Sequence, residues 1–419
     1  MADLLFFLAK GIREYPYYSE FALQNGLKLI VQKDTTIPYF SLQIFFKEGY
    51  GVEKENNNGI HRIWLAWLMR GPKGYSFVEF ASKVEYLGGK YSWDIAPDYS
   101  SVSIEGPAKN FRELSELLIE TLKNPAFSES DLEKVKKSLL AEISREKESP
   151  FDYTYNSLLE SVYGKRGYGV NPLGDEKFVK EVSPERIKNF HEEFFGSQNM
   201  VVSLAGNIKI SDLNFLKKKL LTIRKARRES LKPVCHYRRV KKNIKSDSPQ
   251  TVVMIAVEAP SIRNINDYIA TKILNAFTGK GMSSMLFVEA REKRSLGYEV
   301  ASFFPTRKCG SLFVWYIKTT REKTEDATQL FKNLLKKLPE EITRDAVKRS
   351  ATKEAGTFLL NHQSYSKRAW YLGWYESIGA GADFDRRYPE LIKNSRFEKI
   401  IKQAKRIALQ EPSIIILNP

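Results

Sequence analysis

Apolar residues crowd most densely between Gly59 and Gly71, where Ile60, Ile63, Trp64, Leu65, Ala66, Trp67, Leu68 and Met69 leave almost no polar side to a helix. A helix that is apolar all round is a buried one, and Asn56-Asn57-Asn58 in front of it offers an N-cap. Before it, residues 27–33 and 39–47 are rich in β-branched and aromatic residues and predict two strands. After it come a helix over about 77–86, stopped by Gly88-Gly89, and strands at 91–95 and 99–104, which the Pro97-Asp98 turn makes a hairpin. Phe111, Leu114, Leu117, Leu118 and Leu122 give a helical stripe. Ser130 and Glu133 form a capping box that opens a further helix, with Leu132, Val135, Leu139 and Ile143 as its apolar face. Ser183-Pro184-Glu185 starts a helix that ends near Phe195, and the apolar strand 200–204 closes on Ala205-Gly206.

The same order then returns. Residues 251–257 predict a strand; Ile265, Tyr268, Ile269, Ile273 and Phe277 mark a helix; and Gly279-Lys280-Gly281 makes a loop. A helix over 284–294, strands at 298–304 and 312–317, long helices from Glu322 onward and a last strand at 413–417 complete the chain. The repeated order predicts a duplicated α+β unit, each copy a mostly antiparallel sheet packed against helices. The expected division is an N-terminal domain at 1–222, a basic interdomain linker at 223–248 and a C-terminal domain at 249–419, and a chain of 419 residues suits two domains.

The net charge of +17 is compatible with an anionic partner, but most Lys and Arg residues alternate with acids, as in Glu129 to Lys147, and read as solvated helix faces rather than a nucleic-acid surface. High Lys, Arg and Glu content also suits a thermophile. Cys235 and Cys309 are too few for a disulfide framework, lack metal-ligand spacing and fit a reducing compartment. The apolar run from Leu4 to Ala9 is too short to span a bilayer, and Asp3 precedes it where a signal peptide carries positive charge. The expectation is a cytoplasmic protein with no membrane insertion, or a periplasmic one if the chain is a mature form.

The frame Gly-Ile-x-x-x-x-x-x-x-Leu-x-x-Gly at 59–71 resembles the active-site helix of the pitrilysin-like zinc peptidases, the inverzincins, in which His-x-x-Glu-His sets two ligands and a general base on one face. In this chain those places hold Arg62, Leu65 and Ala66, none of which ligates zinc or acts as a base at neutral pH. The resemblance implies a third ligand, a Glu roughly seventy-five residues beyond the second His; Glu142, seventy-six beyond Ala66, matches it, while Val135 replaces its companion acid. Glu142 falls on the apolar face with Val135 and Leu139, so it is expected to need a cation, and Arg62 is the expected partner. The family's fold, pitrilysin-like or LuxS-like metallohydrolase, is the fold class implied.

Thr278-Gly279-Lys280-Gly281-Met282-Ser283-Ser284, followed by Glu289-Ala290-Arg291 and Gly297-Tyr298, resembles the family's glycine-rich loop and its arginine and tyrosine pair, which hold a substrate carbonyl across from the catalytic domain. Gly279, Lys280, Gly281, Arg291 and Tyr298 are therefore the implied substrate-binding residues, the last two acting in trans; a guanidinium fork and a phenol are fixed donors for a carbonyl that gains negative charge. The likeness is to non-catalytic subunits of bacterial two-subunit peptidases and to the mitochondrial processing peptidase alpha subunit. It implies an inactive chain without a cofactor of its own, a heterodimer with a His-x-x-Glu-His subunit that holds zinc, and peptide substrates bound along a sheet edge. The alternative is a catalytically inactive scaffold or peptide-binding protein of the same fold. His61, His191, His236 and His362 include no pair at ligand spacing, and His61 is expected to be a packed or capping residue pointing away from Arg62.

Overall fold

The structure, a computed structural model, describes residues 9–15 and 17–419, so the apolar run from Leu4 lies outside the described residues apart from Ala9. Twelve strands alternate with helices among the described residues. In the first sheet, β1 (Ala9–Tyr15), β2 (Tyr18–Leu23), β3 (Lys28–Lys33), β4 (Tyr39–Phe46), β5 (Lys90–Ile95), β6 (Ser100–Pro107) and β7 (Met200–Gly206) lie in the order β1-β2-β3-β7-β4-β6-β5. All neighbours pair antiparallel except β3 and β7. β4 and β7 sit centrally and are buried along nearly their whole length, which is why both read as unbroken apolar runs rather than alternating ones.

The second sheet contains β8 (Lys241–Lys245), β9 (Thr251–Ala259), β10 (Gly297–Phe303), β11 (Ser311–Thr319) and β12 (Ser413–Asn418) in the order β10-β11-β9-β12-β8. Here too one pair, β12 with β8, is parallel. Strands β3-β7-β4-β6-β5 and β8-β12-β9-β11-β10 thus share order and sense, the duplication expected from the repeat. β5 and β10 are equivalent edge strands.

The division of the chain differs from the sequential one. One unit gathers the residues up to Ala141, Pro172–Lys232 and Asn361–Asp385; the other gathers Glu142–Asn171, Pro233–Leu360 and Arg386–Pro419. The helix Tyr365–Ser377, expected in the C-terminal domain, packs on β4 and β7 of the first unit. Ser203 Oγ donates to Ala369 O at 2.7 Å, and Gly373 lies so close that a Cβ there would be 2.3 Å from Ser203 Oγ and 2.5 Å from Phe45 Cε2. The helix Pro150–Tyr163 goes to the second unit, where Leu158, Leu159, Val162 and Tyr163 join Val252, Met254, Val314 and Ile415 in one apolar cluster.

The expected linker is not free. Its first part belongs to the first unit, where Arg224 donates to Glu192 O at 2.6 Å and Arg228 to Glu48 Oε1 at 2.7 Å. Its second part belongs to the other unit and contains β8. Cys235 and Cys309, too few for a disulfide framework and expected to suit a reducing compartment, are joined as a single disulfide with Cα atoms 6.0 Å apart. A separation of 74 residues gives sequence spacing no means of announcing the bond. No helix among the described residues is long and apolar enough to cross a membrane.

Candidate functional site

The helix Ile60–Leu68 starts at Gly59, whose φ of 109° only glycine adopts at low cost. Its cap is neither Asn57 nor Asn58. The Glu53 carboxylate accepts from the backbone N–H of Gly59 at 2.7 Å and of His61 at 3.1 Å, and from Asn58 Nδ2 at 2.9 Å. A carboxylate there satisfies orphan donors and opposes the positive end of the helix dipole. Ile60, Ile63, Trp64, Leu65, Trp67 and Leu68 are buried. Trp64 Nε1 donates to His191 Nδ1 at 3.1 Å; burial, reinforced by Arg224, pushes His191 down to about 4 and keeps that nitrogen free to accept.

Arg62 and Ala66, one turn apart, are only half-buried and share the more open face. The Arg62 guanidinium lies 5.7 Å from the centroid of Trp93 on the edge strand β5. Leu65 is fully buried and Ala66 has no donor atom. The donor set of a zinc peptidase does not fit these positions, and among the described residues no group of three or more His, Cys, Asp or Glu is placed to hold a metal ion. Glu142 is half-buried and falls in the second unit, whereas Arg62 falls in the first.

His61 is packed, as expected, its ring 4.9 Å from Phe190 and 5.6 Å from Phe194, and it also sits in a buried charge network outside that expectation. Its Nδ1 lies 2.8 Å from Glu53 Oε1 and its Nε2 3.1 Å from Glu48 Oε1, with all three residues 1% exposed. Burial alone would lower its pKa, but the hydrogen bonds and charges of Glu48 and Glu53 outweigh burial and push it up to about 9. Burial would raise Glu48, yet His61 and Arg228 hold it down at about 2. Glu48 also accepts from Leu231 N at 2.6 Å, so this network fastens residues 228–231 beside the start of the helix. Glu48 and Glu53 precede His61 at no helical spacing, and nothing in the sequence signals the cluster.

In the second unit the helix Ile265–Gly279 ends in the glycine-rich loop. Gly279 passes so close to β10 that a Cβ would lie 1.9 Å from Ser302 N, and Gly281 has φ +81°. Lys280 is half-buried and paired: its Nζ is 2.5 Å from Glu354 Oε2, and Lys353 Nζ donates to Lys280 O. Tyr388 donates to the other Glu354 oxygen at 2.8 Å. Burial opposes ionisation of Glu354, but Lys280 and Lys272 outweigh it and hold the carboxyl below its ordinary range. Lys280 thus ties the loop to Glu354, Gly279 is packed against β10, and Gly281 is the exposed one of the three loop positions.

The helix expected over 284–294 runs over 285–292, and its last six residues, Phe287–Glu292, are wound as a π-helix that carries Arg291. Such wide turns cluster at functional sites because they re-aim a side chain. Ser295 takes φ +50°, strained for a residue with a Cβ, and Gly297 admits no Cβ because Lys318 O would be 2.3 Å away. Arg291 and Tyr298 are brought together by this turn: Arg291 Nη1 donates to Tyr298 O at 2.9 Å, and the guanidinium lies 4.9 Å from the Phe287 ring centroid. Tyr298 is 54% exposed on the edge strand β10, and its hydroxyl has no hydrogen-bond partner among the described residues.

The description "Insulinase (Peptidase family M16)" matches residues 28–175, and "Peptidase M16 inactive domain" matches residues 181–353. The chain belongs to peptidase family M16. An uncharacterized zinc protease of Rickettsia bellii is 21% identical over 398 residues, covering 95% of this chain and 96% of that protein. A protein of Helicobacter pylori named a non-peptidase homolog is 23% identical over 389 residues, covering 90% of this chain and 88% of its own. The crystal structure of a peptidase M16 inactive domain from Pseudomonas fluorescens superposes with a TM-score of 0.87 at 21% identity, covering 96% of this chain and 98% of that one. The fold of this M16 chain is therefore the α+β fold expected from the pitrilysin-like resemblance.

Proposed function

We propose that this M16 chain is the non-catalytic, substrate-handling subunit of a two-chain zinc peptidase, inactive alone, which presents Arg291 and Tyr298 to the active site of a His-x-x-Glu-His partner that holds the zinc. The observation that carries the reading is an asymmetry. The helix Ile60–Leu68 offers Arg62, Leu65 and Ala66 where ligands and base would stand, while the other unit keeps Arg291 and Tyr298 exposed on a π-helical turn and an edge strand. Strain of this kind, about 1–3 kcal/mol per residue, persists where surrounding structure enforces it, and it collects at functional sites. The names of the relatives, an inactive domain and a non-peptidase homolog, support the same reading. Peptide would be taken as an added strand, since an edge supplies unpaired backbone groups that accept many sequences.

The experiment is to measure bound zinc and peptidase activity for this chain, for the His-x-x-Glu-His homologue from the same genome, and for their mixture. Activity is expected in the mixture and not in this chain alone. Arg291→Ala and Tyr298→Phe are expected to lower kcat of the mixture about 100-fold or more, as for removal of an oxyanion donor, with little change in thermal unfolding. Zinc and activity in this chain alone would overturn the proposal. A complex indifferent to both substitutions would favour the inactive scaffold.

A further inference from the structure

We infer that Cys235 and Cys309 form a redox modification site that is oxidised in the working protein, and that the bond locks the β10–β11 hairpin, which carries Tyr298, to the segment entering the second unit. Three stretches without long regular structure meet at this point: Gly167–Gly169, residues 233–238 and the loop 304–310. Tyr168 N donates to Val234 O at 3.1 Å, Cys309 N donates to Tyr168 Oη at 3.3 Å, and Gly310 N lies 3.3 Å from Cys235 Sγ. The fit is close, since a Cβ on Gly167 would be 2.1 Å from Val234 O. The Arg307 guanidinium sits 5.6 Å from the Tyr168 ring centroid, and both cysteines pack against the apolar cluster that includes Tyr168 and Val314.

Residues 224–240 have no helix or strand, so no backbone ladder ties them down and the covalent bond replaces one. It also matters for β10, which among the described residues pairs only with β11 and has no neighbour on its outer side. Cross-linking the loop that joins these strands anchors the hairpin at one end. Both cysteines are partly exposed, so an exchange partner can reach them, and a bond of this kind persists in an oxidising compartment.

The chemistry balances as thiol–disulfide exchange with a disulfide-bearing oxidoreductase. One cysteine thiolate attacks the oxidant disulfide and expels its first thiol; the second cysteine thiolate attacks the mixed disulfide and expels the other. The two cysteines lose two electrons and two protons, and the oxidant gains them as a dithiol.

The test uses the full chain and needs no partner, so its failure is separate from failure of the subunit reading, on which only the link to Tyr298 rests. Protein taken from its native host by acid quench is treated with N-ethylmaleimide and weighed. No label before reduction and two labels after it are expected; two labels without reduction would overturn the inference. Hydrogen exchange is then followed with and without a phosphine reductant. Reduction should speed exchange about tenfold or more in 233–240, 304–311 and β10, with the remaining segments unchanged. The double variant C235S/C309S should exchange like the reduced protein and ignore the reductant. Exchange that is the same in both redox states would show the bond to be a bystander and sink the proposed lock.

Discussion

Replacing His61 by Gln removes a cation from between two buried carboxylates and leaves their other partners in place: Arg228 and Leu231 N on Glu48, and the helix N-terminus on Glu53. The His61 pKa is pushed from 6.5 up to about 9. At 1.36 kcal/mol per unit, that shift corresponds to about 3 kcal/mol of stability, on the scale of breaking a buried ion pair. The lowered Glu48 reports the same contacts from the other side and is not added. A raised folded-state pKa contributes fully below the unfolded value and is lost as pH rises through the folded one. The cost of His61→Gln is therefore expected to be about 3 kcal/mol near pH 6, about 2 near pH 7.5 and close to zero above about pH 9.5. On the acid side, Glu48, held at about 2, contributes fully above its ordinary value of 4.5, and its share is lost as pH falls toward 2. The network is thus complete between about pH 4.5 and 6.5.

Urea unfolding of both proteins at pH 6, 7.5 and 9.5, followed by tryptophan fluorescence, measures this directly. Trp64, Trp67, Trp93, Trp370 and Trp374 lie in the first unit and only Trp315 in the second, so the signal reports the unit that contains His61. Tyrosines and lysines that titrate above pH 9 do so in both proteins and cancel in the difference. A cost below about 1 kcal/mol at pH 6, or one that stays constant to pH 9.5, would refute the charged-histidine assignment.

Gly279→Ala is expected to destabilise the second unit by about 1–3 kcal/mol, because the new Cβ meets the backbone of Ser302 rather than a flexible side-chain end, and calorimetry should show it. An unchanged melting temperature would mean the loop sits farther from β10. Gly373→Ala forces the helix Tyr365–Ser377 away from Ser203 and Phe45 and should lower the urea midpoint of the tryptophan transition by a similar amount. An unchanged midpoint would mean that the helix does not press on Ser203 and Phe45.

The strands that the sequence made legible are those whose environment is uniform. β4, β7, β9 and β12 are buried on both faces or nearly so and read as apolar runs. β8, Lys-Lys-Asn-Ile-Lys, is exposed at four of five positions and carries no strand signal; it is a strand because β12 offers it a free parallel edge. The exchange of the helices Pro150–Tyr163 and Tyr365–Ser377 was hidden for a related reason. Periodicity tells which face of a helix is buried and not which sheet buries it. At the candidate site, the missing ligands at Arg62, Leu65 and Ala66 and the Arg291–Tyr298 spacing could be read residue by residue, because each motif is local. Glu48, Glu53 and Arg228 around His61 could not, since they converge only when the chain has folded.

The two units share one sheet order, which allows their sites to be weighed against each other. In the first, the open face of the helix after β4 carries a guanidinium over Trp93 on the edge strand β5, with ordinary helical geometry throughout. In the second, the approach to the equivalent edge β10 holds a π-helical turn, a serine at positive φ and a glycine pressed against Lys318 O. A glycine at position 295 would adopt the same backbone with less strain. What the strained path does accomplish is to hold Arg291 on the Tyr298 carbonyl and leave the phenol facing solvent. On the proposed function it is therefore the second unit, where Arg291 and Tyr298 are exposed, that mutation should use to separate function from stability.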